Sequence, residues 1–211
     1  LENVVTEINT TLGSSDLLYE ILIIDDGSED SSGAIADRLA KELESVRVIH
    51  HETNKGLGGV YRTGFSSAMG NFVTFFPADG QFPADIIKRF ASLMAEKDMV
   101  LGYLPTSKRN LFARTLSWGE RALFNLMFGP LPRFQGIMMF RHDLLNNIKL
   151  NSMGRGWTIL LELIIKAKRS GYRITSVPTG IRPRISGKSK VNNLHTILAN
   201  LHQAVTLRRY F

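Results

Sequence analysis

The chain has no cysteine, which excludes a disulfide scaffold and any Cys-ligated metal and fits a reducing compartment. No apolar run approaches the ~20 residues that a bilayer-spanning helix needs, and no secretory signal pattern opens the sequence. A third shortage is local. Residues 100–211 hold 18 Lys and Arg but only three acids, Glu120, Asp143 and Glu162, a net +15; residues 1–99 hold 8 basic and 16 acidic residues, a net −8. Such asymmetry predicts a polyanionic partner for the second half: phosphate groups, nucleic acid or an anionic membrane surface. Nucleic acid ranks last, because no recognition motif of that kind is present. At 211 residues, 44% hydrophobic and 21% charged, the chain reads as one globular domain spanning 1–211.

What is present is a pattern of carboxylates at strand ends. The run Phe72 to Phe76 stops at Pro77, which cannot donate to a central ladder, and Asp79 follows in a turn pinned by Gly80. Behind it, Phe82 to Ala95 carries Ile86, Ile87, Phe90, Leu93 and Met94 at helical spacing. Tyr19 to Ile24 is a second apolar strand running into Asp25-Asp26-Gly27-Ser28, and Asp30 or Ser31 can cap the helix that follows. A weak helix over Glu2–Leu12 precedes it. Further strands are expected at Val46 to Ile49, Asp98 to Gly102 and Tyr172 to Val177, an extended stretch at Gly136 to Phe140 and a helix over Trp157 to Ala167. Strands alternating with helices predict an α/β fold with a mostly parallel, doubly wound sheet, whose ligands bind at the carboxyl edge of the strands.

Other features are less specific. Asn54 to Gly59 (NKGLGG), with Arg62, reads either as a phosphate cradle or as a flexible turn, since the Lys-Ser/Thr of a P-loop is missing. Its helix is expected to bury Val60, Phe65, Ala68 and Met69. His50 and His51 lack a metal-ligand spacing and are taken as structural or exposed, as are His142, His195 and His202. Leu111 to Phe128 is a long amphipathic pattern with Arg114 and Arg121 on one face, and 192–211 also reads as helical.

The succession ILIIDDGSEDSS (21–32), NKGLGGVYRTGFSSAMGNFV (54–73), PADGQF (77–82), Glu162 in LELIIKA, GYRITSVP (171–178) and RISGKSK (184–190) resembles the inverting family 2 glycosyltransferases of the GT-A fold. The likeness spans nearly the whole chain. It points to the branch containing dolichol-phosphate mannosyltransferase and bacterial polyprenyl-phosphate glycosyltransferases. The resemblance implies that Asp25 and Asp26 hold the nucleotide of a UDP- or GDP-linked sugar, with Gly56 and Arg62 as further donor-side candidates. It implies that Asp79, with Gln81, binds the Mg²⁺ or Mn²⁺ that bridges the diphosphate; hard cations suit such oxygen ligands. It also places Arg184, Ser186, Lys188 and Lys190 in a loop that neutralises the leaving diphosphate, where Gly187 lets the backbone approach.

For the acceptor, a sugar hydroxyl would need a general base, whereas a polyprenyl phosphate, with a second pKa of roughly 6, is already anionic near neutral pH. Arg114 and Arg121, beside Trp118 and Phe112, are the candidates for gripping such a phosphate at a membrane surface on the cytoplasmic side; a packed helix with solvated arginines is the alternative. The sequence departs from the family pattern at Pro77, where the first acid of the D-x-D motif is expected, and at its start, which lies just downstream of a base-contacting segment; trimming is expected there and conceivable at the other end. Two alternatives stay open. One is a family 2 enzyme with a saccharide acceptor and Asp79 or Glu162 as base; the other, motivated by Pro77, is a non-catalytic homologue.

Overall fold

The computed structural model describes residues 1–105, 124–182 and 205–208. Helix α1 (Glu2–Gly13) buries Val4, Val5, Ile8 and Leu12, one stripe at helical spacing. Strand β1 (Ile21–Asp25) pairs in parallel with β2 (Val46–His50) in a register that sets Asp25 opposite His50. Between them runs α2 (Ser32–Glu42), whose first turn is held by Asp30: its Oδ1 accepts the Ser32 N–H at 2.9 Å. Helix α3 (Gly56–Ser67) follows, then β3 (Phe72–Thr74), α4 (Asp85–Leu93), β4 (Met99–Tyr103), β5 (Met138–Arg141), the short α5 (Leu144–Asn147), α6 (Thr158–Arg169) and β6 (Ile174–Pro178).

The second sheet has the order β3-β5-β4-β6. β4 and β6 are parallel, whereas β5 runs antiparallel to both of its neighbours. The carboxyl ends of β3, β4 and β6 therefore share one edge, and β5 starts from it. Alternation sorts the central strands: Met99, Leu101, Met138 and Phe140 face a core with α3 and α6, while Val100, Ile137 and Met139 face one with α1 and α4. Helices on both faces and apolar central strands are the mark of a buried α/β sheet.

Local boundaries differ from the sequence expectation for visible reasons. β3 ends at Thr74 because its pairing with β5 stops at Thr74 opposite Met139; Phe75 and Phe76 instead pack edge-on against Tyr61 and Phe82, ring centroids 4.6 and 6.4 Å apart. The glycine-rich segment is the first turn of α3, and Met69, expected in its apolar stripe, lies beyond the helix end and is 69% exposed. Of the two long helices expected over 111–128 and 192–211, only residues 124–128 and 205–208 are described, and 124–128 and 205–207 are α-helical. Leu207 packs there with Phe124, Phe128, Leu161 and Ile165. Arg114, Arg121, Arg184, Ser186, Lys188 and Lys190 lie outside the described residues.

The start of α3 is pressed against the loop 152–156. The Gly58 N–H donates to the Arg155 carbonyl at 2.9 Å, and a methyl group at position 58 would sit 1.9 Å from the Gly154 carbonyl oxygen. Gly58→Ala must force two backbones apart and should lower stability by about 1–3 kcal/mol, measured by urea unfolding at unchanged m-value.

Candidate active site

The carboxylates expected at the end of β1 are there, each locked in place. Asp25 Oδ1 accepts the Ser28 N–H at 3.0 Å across the turn made by Gly27 (φ 70°), and Oδ2 accepts from His50 Nδ1 at 2.8 Å. Hydrogen bonds from Ser28, and then from His50, hold Asp25 below the usual carboxylate range despite its burial. Asp26 is bound more tightly. Its Oδ1 takes His51 Nδ1 at 2.7 Å and the Lys55 N–H at 2.9 Å, and its Oδ2 takes the Gly56 N–H at 2.8 Å. Burial pushes Asp26 up, but the bonds from His51, Lys55 and Gly56 outweigh it and leave the group below its ordinary value.

These bonds give the glycine-rich segment an occupation other than the open phosphate cradle considered from sequence. The first N–H groups of α3 are taken by Asp26 and by the Arg155 carbonyl, and Arg62 Nη1 donates to the carbonyls of Ser152 and Gly154 at 3.2 and 3.4 Å. Gly56 (φ 73°) is needed because a side chain there would strike the Arg155 carbonyl. Gly56 and Arg62 thus hold the wall of the site together.

A second group of residues sits past the end of β3. Gly80 (φ 73°) turns the chain, and the Gln81 N–H donates to Asp79 Oδ1 at 3.1 Å. The Gln81 carbonyl accepts the Arg182 N–H at 2.7 Å, so the basic segment after 182 departs from the turn that carries Asp79. Glu7 of α1 fastens the junction: it receives the Ala84 N–H at 3.0 Å and the Arg182 guanidinium at 2.7 and 3.0 Å. The bond from Arg182 holds Glu7 below the usual carboxylate range. At the same edge Arg133 stacks over the Tyr103 ring, 5.4 Å from its centroid, with no carboxylate partner among the described residues.

One sequence reading needs revision. Glu162, considered as a base, is fully buried in α6, where it accepts from Asn151 N, Ser152 N and Lys166 Nζ at 2.8, 2.7 and 2.6 Å. It anchors the 151–152 backbone, and its carboxylate is committed to these three donors. His50 and His51 are exposed and buried respectively, within the structural-or-exposed reading; what the sequence did not show is that they hold the two strand-end carboxylates, His51 also meeting the Thr63 hydroxyl at 2.8 Å. Their signal was the equal distance of Asp25 and His50 from the starts of two strands, readable only once those strands are paired in register. Arg133 and Glu7 also escaped notice, since nothing local marks them.

Carboxylates gathered at the carboxyl edge of a helix-flanked sheet stand where open α/β folds bind their ligands. The profile of glycosyl transferase family 2 matches residues 1–155, and the chain belongs to that family. It is 28% identical over 188 residues to the undecaprenyl-phosphate mannosyltransferase of Micrococcus luteus, covering 82% of this chain and 76% of the relative. It is 27% identical to the polyprenol monophosphomannose synthase of Mycolicibacterium smegmatis over 82% of this chain and 70% of the relative. It is also 28% identical to the dolichol-phosphate mannosyltransferase of Pyrococcus furiosus, of whose length it spans 59%. Among solved structures, glucosyl-3-phosphoglycerate synthase from Mycobacterium tuberculosis, in complex with Mn²⁺, UDP-glucose and phosphoglyceric acid, superposes with a TM-score of 0.70 at 18% identity, over 97% of this chain and 74% of that one. A Pyrobaculum calidifontis mannosyltransferase in complex with GDP-Man and Mn²⁺ gives 0.56 at 15% identity, over 99% and 70%. The fold is GT-A, as the sequence motifs led us to expect.

Asp26→Ala leaves the N–H groups of Lys55 and Gly56 without their acceptor and should cost about 1–3 kcal/mol. Because the folded-state pKa of Asp26 is lowered, its contribution is present above the unfolded value and lost as pH falls through the folded one. The acid limb of a stability–pH curve should therefore be shallower in the variant than in the wild type.

Proposed function

We propose that the chain is an inverting glycosyltransferase that moves a hexose-type sugar from a UDP- or GDP-linked donor to a polyprenyl phosphate at the cytoplasmic face of a membrane. The observation that carries this reading is the junction at Arg182, which starts the basic motif 184–190 from the same turn as Asp79. The names of the relatives support the choice of acceptor. Among the described residues no helix is long and apolar enough to cross a membrane.

The roles follow from charge. Asp25 and Asp26 shape the nucleotide side, and Asp79 with Gln81 forms the metal side. The described residues contain no cluster of three or more acids or histidines able to hold a metal, and Pro77 offers no ligand. One carboxylate and one amide fit a divalent ion that arrives with the nucleotide, since Mg²⁺ is commonly held by one or two carboxylates plus substrate phosphates. When bound, such an ion offsets the charge of the diphosphate. Arg184, Ser186, Lys188 and Lys190 receive the leaving diphosphate, and Arg114 and Arg121 hold the acceptor phosphate. A phosphate oxygen attacks the anomeric carbon from the face opposite the diphosphate; the bond from that carbon to the diphosphate oxygen breaks, and the configuration inverts. No general base is required, because the acceptor oxygen is already anionic. With Asp79 assigned to the donor side and Glu162 buried, neither of the two bases named for the saccharide-acceptor alternative serves it.

Pro77 favours one second reading, a homologue that binds nucleotide without turnover. Thermal-shift titration with UDP and GDP, each with and without Mn²⁺, tests the donor site. A ligand at ~1,000 times its dissociation constant stabilises by roughly 4 kcal/mol, an easily measured shift. The expected result is a metal-dependent shift with one nucleotide, lost in Asp79→Asn. Equal shifts in the presence and absence of metal would remove Asp79 from its role, and no shift with either nucleotide would overturn the donor site as drawn.

A further inference from the structure

Beside the nucleotide wall lies a feature that neither the family chemistry nor the proposed reaction uses. His50 stands at the end of β2 with its two ring nitrogens facing carboxylates on different elements: Nδ1 is 2.8 Å from Asp25 Oδ2 at the end of β1, and Nε2 is 3.0 Å from Asp37 Oδ1 in the middle of α2. A neutral imidazole carries one N–H, so it can donate to only one of these acceptors. Only the imidazolium satisfies both. The first turn of α2 is seated on the same pair, since a methyl group at Gly33 would lie 3.0 Å from Asp25 Oδ2 and 3.7 Å from His50 Cε1.

The charges around His50 all favour the imidazolium. Asp25 approaches from β1 and Asp37 from α2, and Asp30, on the loop between them, is near enough to Asp25 for the two charges to repel. The adjacent His51 is committed to Asp26 and Thr63. The nearest arginine of α2, Arg38, is spent on Glu2 and Glu42. Hydrogen bonds donated to Asp25 and then to Asp37 raise the His50 pKa above its ordinary value.

We propose that His50 is a positioning residue of the donor site: as an imidazolium it staples α2 to the end of β1 and fixes Asp25 and the 26–31 loop, and its deprotonation weakens nucleotide binding. The sign follows from the geometry. Below the raised pKa both bonds are made; as pH rises through it, Nε2 presents a lone pair to the Asp37 carboxylate and the staple to α2 opens. The inference rests on the reading of Asp25 as part of the nucleotide side, and its test separates the two.

Asp37→Asn is the diagnostic variant. An asparagine amide can donate to a neutral Nε2 or accept from a protonated one, so the staple survives at either charge. The titration of His50 Cε1–H, assigned by comparison with His50→Gln, is followed by NMR in the wild type and in Asp37→Asn without nucleotide. The affinities of both for UDP and GDP with Mg²⁺ are then measured from about pH 6 to about pH 8.5, across the range in which histidine titrates. Comparing the two proteins at each pH cancels the titration of the nucleotide itself. The expected result is a raised imidazole pKa that falls in Asp37→Asn. Wild-type affinity should drop about fivefold or more relative to the variant across the range, within the usual span of coupling between sites. His50→Gln should bind weakly and without the extra pH dependence. Wild type and Asp37→Asn keeping a constant affinity ratio, or an imidazole titrating at the ordinary histidine value, would overturn the proposal. Absence of binding by every protein at every pH, alongside a raised imidazole pKa, would instead overturn the donor-site reading and take the positioning role with it.

Discussion

Backbone N–H groups at the start of a helix have no partners within it, and the architecture of the site turns on how α3 meets that constraint. Its first N–H groups reach across to the Asp26 carboxylate, which also accepts from His51 just past the end of β2. One side chain thus ties β1, β2 and α3 together. The loop 152–156 closes over the same turn only because positions 56 and 58 are glycine, and Glu162 holds that loop from below through the Asn151 and Ser152 N–H groups. A negative charge at a helix N-terminus is also favoured by the helix dipole, so the strand-end acid and the helix start stabilise one another.

In the proposed reaction the division of charge along the chain becomes a division of labour. The acidic first half supplies Asp25, Asp26 and Asp79, and the basic second half supplies the segment that leaves Arg182. Glu7 and Arg182, 175 residues apart, join the two. An exposed pair of this kind contributes little to stability. Its value lies in fixing where the basic segment begins relative to Asp79.

The sequence carried the parts of the fold that are written locally. Asp25 and Asp79 were legible because each follows an apolar run that ends in a Gly-containing turn, and the sandwiching helices because their apolar residues recur at helical spacing. The antiparallel course of β5 was not, since Met138 to Phe140 reads the same in either direction; only pairing with Phe72–Thr74 and Met99–Leu101 sets it. The roles of His50 and His51 depend on strand register, and those of Arg155 and Asn54, 101 residues apart but joined at 2.6 Å, on tertiary closure. The contacts that Gly56 and Arg62 make with Asp26 and the 152–156 backbone were not legible, because a glycine-rich turn looks alike whether it approaches a phosphate or a neighbouring carbonyl.

The central claim is that the acceptor is a lipid phosphate whose own charge replaces a general base. It is tested most directly by incubating the chain with UDP- and GDP-linked hexoses, Mn²⁺ and a short polyprenyl phosphate, and identifying the product by mass spectrometry and NMR. The account predicts one hexose joined to the phosphate oxygen with inverted anomeric configuration. Transfer to a free saccharide hydroxyl but not to the lipid phosphate, or a product with retained configuration, would contradict it.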